Sequence, residues 1–338
     1  MSPRSLGLVL ALAAAPLSLP LVALPLVALA LAAHAAAPQV KTQAPGYYRL
    51  MLGDFEITAL NDTVLTLPMD KLMTNTTPAK VAAALARNHQ PSPTPTSVNA
   101  FLINTGGQLI LVDTGLNGLA GPQAPSHLLA NLKAAGYTPE QVDAVLITHM
   151  HSDHIGGLMT DGHPTFPNAT VYVDAAEKGH WLNPEAESKA PADEKRGFAT
   201  AHKLLDAYAM AGKLKTFDGV TPLFPGVTAL PAHGHTPGHS AYAVESKGQK
   251  MLFWGDLMHV AAVQFDTPAT TIQFDSDSPA AAKERARIFA EAAKDGYWVA
   301  AAHISFPGIG HIRPKDTTDG KADPKSYVWE PAQYSLGE

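Results

Sequence analysis

Short apolar runs and amphipathic stretches alternate along most of the chain. The apolar runs are rich in β-branched residues, which is typical of buried strands. They predict strands at Phe55–Leu60, Gly107–Val112, Val142–Thr148, Thr170–Val173 and Tyr297–Ala301, and a hairpin of Ser240–Val244 with Lys250–Phe253. The amphipathic stretches predict helices at Ser126–Ala135, Ala192–Ala211 and Pro279–Asp295. Residues 91–97, which contain three prolines, predict a loop. Such an alternation predicts an α/β layer architecture.

The N-terminus has the pattern of an export signal. Arg4 precedes the apolar run Leu6–Ala33, and Ala33-His34-Ala35 and Ala35-Ala36-Ala37 offer cleavage sites. An uncleaved membrane anchor is the alternative, because the run is long enough to span a bilayer. Prolines interrupt the run and favour a cleaved signal over residues 1–35, followed by a single domain over 36–338. We therefore expect a periplasmic or secreted protein with no membrane attachment after cleavage.

The amino-acid composition argues against several classes of function. The 338 residues include 24 lysines and arginines against 30 aspartates and glutamates, a net charge of −6. Because the basic stripe of a nucleic-acid-binding protein is missing, we expect no nucleic-acid partner. The chain has no cysteine, so disulfides, thiolate ligands and a cysteine nucleophile are excluded. Its 15 histidines, in contrast, are many for this length and fall in clusters.

The first histidine cluster directly follows the predicted strand Val142–Thr148. His149, His151, Asp153 and His154 form the pattern His-x-His-x-Asp-His. Imidazole and carboxylate are the usual ligands of zinc and similar ions. We expect His149 and His151 on one side of the turn, and Asp153 and His154 at a second point a few ångströms away. The spacing therefore predicts two metal ions, an arrangement that suits hydrolysis.

Three later segments supply the remaining candidate ligands. In the second cluster, residues 233–239, His235 is predicted to complete a three-histidine site, whereas His239 is expected to support the site from behind or to pack. Asp256, at the end of Lys250–Phe253, can bridge two cations. His303, at the end of Tyr297–Ala301, can close the second site.

Taken in order, the motifs Thr-His-x-His-x-Asp-His, Gly-His-Thr-Pro-Gly-His, Gly-Asp and Ala-His resemble those of the metallo-β-lactamase superfamily. The resemblance covers most of the mature chain. It is closest to the branch that contains methyl parathion hydrolase and related lactonases, whose flanking segments are similar to residues 45–55 and 306–311.

The resemblance implies an αββα sandwich with the metals at one edge of two packed sheets. It also implies a homodimer and a role for Asp113 in supporting the metal site. By resemblance, the ligands of one metal are His149, His151 and His235, those of the other are Asp153, His154 and His303, and Asp256 bridges both. Zinc is the expected metal, although manganese, cobalt and iron accept the same ligands.

The expected function is metal-dependent hydrolysis of small-molecule lactones or aryl esters. A metal-bridging hydroxide would act as the nucleophile, because metal binding lowers the pKa of water to about 7, and Asp153 and Asp256 are the expected catalytic side chains. Organophosphate triester hydrolysis is the alternative, and a non-catalytic metal-binding protein is a second one. Trp181 and the segment Leu116–Ser126 are the predicted walls of the substrate pocket. The presence of Asp256 and the absence of cysteine argue against a true β-lactamase.

Overall fold

A computed structural model describes residues 37–192 and 194–337 of the chain. The contacts between residues divide the chain into two compact units, Met1–Thr42 and Gln43–Glu338. Every strand and helix among the described residues lies in the second unit. The signal sequence predicted over residues 1–35 lies outside the described residues and stays a prediction. Within the described ranges, no helix combines the length and the apolar character that crossing a membrane requires.

The strands are numbered in chain order. They are β1 (Tyr47–Leu52), β2 (Phe55–Leu67), β3 (Met73–Thr74), β4 (Thr94–Asn104), β5 (Leu109–Val112), β6 (Ala144–Leu146), β7 (Met159–Thr160), β8 (His163–Pro164), β9 (Thr170–Asp174), β10 (Leu214–Phe217), β11 (Thr221–Phe224), β12 (Val227–Pro231), β13 (Ser240–Ser246), β14 (Gln249–Phe253), β15 (Thr271–Ile272), β16 (Trp298–Ala300), β17 (Ile309–Asp316) and β18 (Ala322–Pro331).

The α-helices are numbered in the same way. They are α1 (Met69–Leu72), α2 (Pro78–Arg87), α3 (Leu128–Ala134), α4 (Ser152–Ile155), α5 (Ala175–Trp181), α6 (Pro184–Lys189), α7 (Lys195–Met210), α8 (Ala261–Gln264) and α9 (Ser278–Asp295). Single turns of 3₁₀-helix cover Pro139–Gln141 and Gly156–Leu158.

Among the described residues, all strands of three or more residues form two seven-stranded sheets, and the two-residue strands form two separate pairs. The first sheet has the order β1-β2-β4-β5-β6-β9-β10, and the second has the order β11-β12-β13-β14-β16-β17-β18. In the first sheet β5, β6, β9 and β10 run parallel, and in the second β14 and β16 do so. Since β12 and β14 both pair antiparallel with β13, the strands β12, β14 and β16 all end at the same edge of the second sheet.

Three apolar layers hold the sheets and helices together. The middle layer lies between the sheets, where Phe101 of the first sheet meets Phe253 of the second with ring centroids 5.4 Å apart. The outer layer of the first sheet packs against α3 and α7, and that of the second sheet packs against α9. Helices therefore cover both outer faces of two packed sheets. This confirms the αββα sandwich that the resemblance implied.

The predicted strands, hairpin and helices are all present, with bounds that differ by up to three residues, except that the strand predicted over Phe55–Leu60 continues to Leu67. The loop predicted over residues 91–97 is wrong for its second half, because β4 begins at Thr94. Pro95 pairs with Thr66 of β2 but lies outside Phe101–Asn104, the part of β4 that pairs with β5. Proline has no backbone N–H to donate to a neighbouring strand. Because Pro95 has a strand partner on one side only, that missing donor does not break this strand.

Candidate metal centre

Four loops at one edge of the two sheets carry the clustered histidines and carboxylates. The first loop follows β6 of the first sheet, and the other three follow β12, β14 and β16 of the second sheet. Each loop starts from the end of a rigid strand, so side chains that are distant in sequence meet at a defined place.

His149, His151 and His235 each bring one ring nitrogen to a common point. Nε2 of His149 lies 3.0 Å from Nδ1 of His151, and Nε2 of His235 lies 3.1 Å from the same Nδ1 atom. These nitrogens and a carboxylate oxygen of Asp256 all lie within 4.8 Å of one another. The ligands of one divalent ion have a similar spacing, because Zn–N distances of about 2.0–2.1 Å place tetrahedral ligands roughly 3.3 Å apart.

Asp153, His154 and His303 form a second group beside the first. Oδ2 of Asp153 lies 3.6 Å from Nε2 of His154 and 3.5 Å from Nε2 of His303. The ligand atoms of this group also lie within 4.8 Å of one another.

Asp256 stands between the two groups, and Nε2 of His303 lies within 3.2 Å of both of its oxygens. Its Oδ1 atom lies 3.1 Å from Nε2 of His154 and 3.0 Å from Nε2 of His303. Its Oδ2 atom lies 3.2 Å from Nε2 of His235 and 3.6 Å from Nε2 of His149. The structure thus brings together all seven side chains that the sequence pattern singled out as ligands, and it places Asp256 where a bridging carboxylate would be.

Two atoms of this cluster show that it fits metal ions. Nε2 of His154 and Oδ1 of Asp256 are buried and lack a hydrogen-bond partner in the described part of the protein. Buried polar atoms are nearly always partnered, so these two atoms, which lie 3.1 Å apart without forming a hydrogen bond, suit the coordination of an ion. Since imidazole nitrogen and carboxylate oxygen are suitable donors for zinc, manganese, cobalt and iron, the donor set fits divalent metal ions.

Asp113 holds His154 from behind. Its Oδ2 atom accepts hydrogen bonds from Nδ1 of His154 and from the hydroxyl of Thr148, both at 2.8 Å. Its Oδ1 atom accepts the backbone N–H of Thr148, also at 2.8 Å. Asp113 has a φ of +57°, an uncommon value for a residue other than glycine, and these three bonds compensate for that backbone conformation.

Two further imidazoles have partners that the sequence did not reveal. Nδ1 of His235 donates to Oδ1 of Asp275 at 2.8 Å, and Nδ1 of His303 donates to the backbone carbonyl of Ser97 at 2.8 Å. Such bonds fix the tautomer, so that the other nitrogen faces the cluster. Asp275 lies in no recognisable motif, and a backbone carbonyl leaves no trace in the sequence.

The remaining histidines of the second cluster do not contribute to either group. His239 is buried, donates from Nδ1 to the carbonyl of Ala232 at 2.9 Å, and accepts the backbone N–H of Asp256 on Nε2 at 3.0 Å. It therefore positions Asp256 through the backbone. His233 is partly exposed and faces Asp174 at 3.4 Å, away from the cluster.

His259 also belongs to this edge of the protein. Its Nε2 atom lies 3.1 Å from Oδ2 of Asp256, and its ring stacks on that of His303 with centroids 5.2 Å apart. Its backbone N–H donates to the side chain of Gln264 at 2.7 Å. A third arrangement of close donor atoms consists of Asp256, His259 and His303.

The cluster is buried on most sides and open on one. His149, His154 and Asp256 are buried, whereas the side chain of Asp153 is 19% exposed and that of His151 is partly exposed. Trp181, the predicted pocket wall, packs its largely buried ring edge-on against His151 with centroids 5.8 Å apart. It stands beside the open side, and its contact with substrate stays a prediction.

Close packing of so many titratable groups shifts their pKa values in opposite directions. Burial, reinforced by His235, lowers the pKa of His151 to about 3. Burial alone would also lower the pKa of His235, but the carboxylates of Asp256 and Asp275 overcome it and raise that pKa to about 9. Burial would raise the pKa of Asp256, yet the surrounding imidazoles, His154 first among them, hold it well below its ordinary value.

Comparisons with known proteins agree with this geometry. Residues 93–303 match the family model described as the metallo-beta-lactamase superfamily, and this span contains all seven candidate ligands. The crystal structure of the hydrolase AbOPH, described as in the beta lactamase superfamily, superposes with a TM-score of 0.81 at 37% sequence identity, and the match covers 87% of this chain and 100% of that one.

Two further matches are more distant. AidC, described as a dizinc quorum-quenching lactonase in complex with the product N-hexanoyl-L-homoserine, shares the fold with a TM-score of 0.75 at 24% identity over 86% of this chain and 98% of that one. A probable metallo-hydrolase of Mycobacterium bovis is 30% identical over 196 residues, which are 48% of this chain and 56% of the relative. The chain thus aligns with little more than half of this curated relative.

Replacing Asp113 should weaken metal binding. In Asp113→Asn one carboxylate oxygen becomes an NH₂ group, which cannot accept from His154 or Thr148. We expect zinc to bind about 10- to 100-fold more weakly, as measured by competition with a chromophoric chelator. Asp161→Asn is the matched control, because Asp161 also has a positive φ, +51°, but is exposed. Equal affinity in Asp113→Asn and the wild type would contradict the supporting role.

Zinc binding should release protons at neutral pH. Because the pKa of His235 is raised to about 9 in the metal-free protein, its imidazole is protonated at neutral pH and must lose that proton before the nitrogen can bind an ion. We expect zinc affinity to rise as pH increases toward that pKa. Calorimetric titrations in two buffers with different ionisation enthalpies would count the protons, and identical heats in both buffers would disprove the expectation.

Proposed function

The chain belongs to the metallo-β-lactamase superfamily, and we propose that it is a hydrolase of lactones or aryl esters that uses two divalent metal ions. The observation that carries the proposal is the position of Asp256, whose two oxygens face two separate groups of donors. One ion would be held by His149, His151 and His235, and the other by Asp153, His154 and His303. Zinc is the metal we expect, in keeping with the dizinc description of AidC.

When bound, a pair of such ions supplies an activated water nucleophile at neutral pH and a positive charge that stabilises the developing oxyanion. The protein's own residues hold the centre and shape access to it. His154 and His235 are oriented by Asp113 and Asp275, so the reactive geometry exists before substrate arrives. The buried flank excludes bulk water, and the exposed edge at Asp153 leaves one direction of approach.

The surroundings of the exposed side favour a substrate with an apolar part. Trp181 stands beside His151, and Phe274, which is 39% exposed, lies with its ring 6.1 Å from that of His259. The exposed part of Phe274 can pack against an acyl chain or an aryl leaving group. A product of lactone opening is also what AidC is described as binding. That description is the reason we place lactones and aryl esters ahead of phosphotriesters, since an aryl leaving group can occur in both esters and phosphotriesters.

A small substrate panel, assayed with and without chelator, tests the substrate class. The panel contains an aryl lactone, an acyl homoserine lactone, an aryl ester, methyl parathion and a β-lactam. We expect turnover of the lactones and the aryl ester that chelator abolishes and zinc restores. Fastest turnover of methyl parathion would instead support a phosphotriesterase. Bound metal without turnover of any compound would favour a metal-binding protein.

Removing a ligand should abolish turnover without unfolding the protein. In His151→Ala or Asp256→Asn we expect lactone hydrolysis to fall by more than about 100-fold, because the metal centre loses a donor. Circular dichroism and thermal unfolding would show that the fold persists. His202→Ala is the control, because His202 pairs with Asp206 on the exposed face of α7. Wild-type rates in either ligand variant would refute the assignment.

A further inference from the structure

Glu177 is a completely buried carboxylate beside the metal centre that no motif marks. It lies on α5, and none of the described lysines, arginines or histidines forms an ion pair with it. A buried carboxylate is costly unless hydrogen bonds compensate for the lost hydration. Glu177 has four of them, so its position is strongly determined.

The four hydrogen bonds divide evenly between the two oxygens. Oε1 accepts from the backbone N–H of Met150 at 2.7 Å and from the indole N–H of Trp181 at 2.8 Å. Oε2 accepts from the hydroxyl of Thr236 at 2.7 Å and from the backbone N–H of Gly238 at 2.9 Å.

Three of the four donors belong to the two loops that carry the first group of ligands, and the fourth, Trp181, lies on α5 with Glu177. Met150 lies between His149 and His151, in the loop that follows β6 of the first sheet. Thr236 directly follows His235, in the loop that follows β12 of the second sheet. One carboxylate thus joins ligand loops that start from different sheets.

We propose that Glu177 is a positioning residue that holds His149, His151 and His235 at the spacing that one metal ion requires. The proposal rests on the metal centre of the proposed function. It predicts an asymmetric role, because Asp153 and His154 lie on α4, beyond the residue that Glu177 contacts, and His154 and His303 are held by Asp113 and Ser97 instead. It also explains the close approach at Gly238, where a Cβ atom would lie 2.2 Å from the backbone nitrogen of Glu177.

The chemistry of the donors requires a carboxylate at this position. The groups on Met150, Trp181 and Gly238 can only donate, so an ionised carboxylate, which only accepts, matches them. Burial raises the pKa of Glu177, and its hydrogen bonds oppose that shift. Glutamine has nearly the same shape, but its NH₂ group would face either the N–H of Gly238 or those of Met150 and Trp181, which can only donate. Glu177→Gln therefore removes the support of one loop without creating a cavity.

Stepwise zinc titration of the purified protein against a chromophoric chelator tests the proposal. The binding step that disappears in His235→Ala identifies the first ligand group. In Glu177→Gln we expect that step to weaken about 10- to 100-fold, while the other step changes by less than about 3-fold. The visible spectrum of bound cobalt(II) gives a second readout, because only the first group's ligand geometry should change.

Asp62→Asn is the matched control. Asp62 is also a completely buried carboxylate, and it accepts hydrogen bonds from the backbone of Leu116 and Leu128 and from the hydroxyl of Ser126, none of them in a ligand loop. We expect Asp62→Asn to lower the thermal stability as much as Glu177→Gln does, yet to leave both zinc steps unchanged.

Three results would overturn the proposal. They are unchanged zinc binding in Glu177→Gln, equal weakening of both steps, and the same weakening in Asp62→Asn. Because the readout is metal affinity, it is independent of the substrate. If the wild type binds two ions but hydrolyses no substrate, the proposed function fails while Glu177 is still judged by the titration. If the wild type binds no second ion, both proposals fail.

Discussion

The structure at this edge of the protein depends on one buried carboxylate, that of Asp256. Its oxygens are shared between two groups of imidazoles, and the charge can lie in the interior only because those groups surround it. Its backbone is fixed as well, since its N–H donates to His239. The preceding Gly255 has a φ of +53°, and a Cβ atom there would lie 2.7 Å from that imidazole, so the Gly-Asp pair is a steric requirement.

The carboxylate can perform this role only if the two sheets keep a fixed relation to each other. The hydroxyl of Tyr242 in the second sheet donates to the carbonyl of Ile147 at 2.6 Å, directly before the first histidine loop. The backbone N–H of Ser240 donates to the carbonyl of Thr148 at 2.9 Å. These bonds cross the sandwich beside the ligands. The packing of the apolar layer between the sheets and the positions of the candidate metal ligands therefore depend on each other. A change in either one would alter the other.

The sequence predicted the parts of the molecule in which residue type and local spacing decide the outcome. Strands such as Val142–Thr148 could be predicted because short runs of β-branched residues favour strands over helices. The ligands could be predicted because only a few types of side chain bind divalent metal ions. Residues whose roles come from tertiary contacts were not predictable. Asp275 and Glu177 look like ordinary polar residues in sequence, and Pro95 looks like a loop residue until its missing strand partner is seen.

The distribution of burial around the centre favours catalysis over metal storage. A site that only stores or structures a metal is closed by protein ligands on every side. Here the histidines at the back are rigidly oriented and buried, whereas Asp153 and His151 face an edge that solvent reaches. Because the buried histidines are held rigidly, the charges around the centre keep fixed positions. The partly exposed edge lets a small molecule approach. The same strand ends that bring the ligands together thus leave one side free, and hydrolysis requires both features.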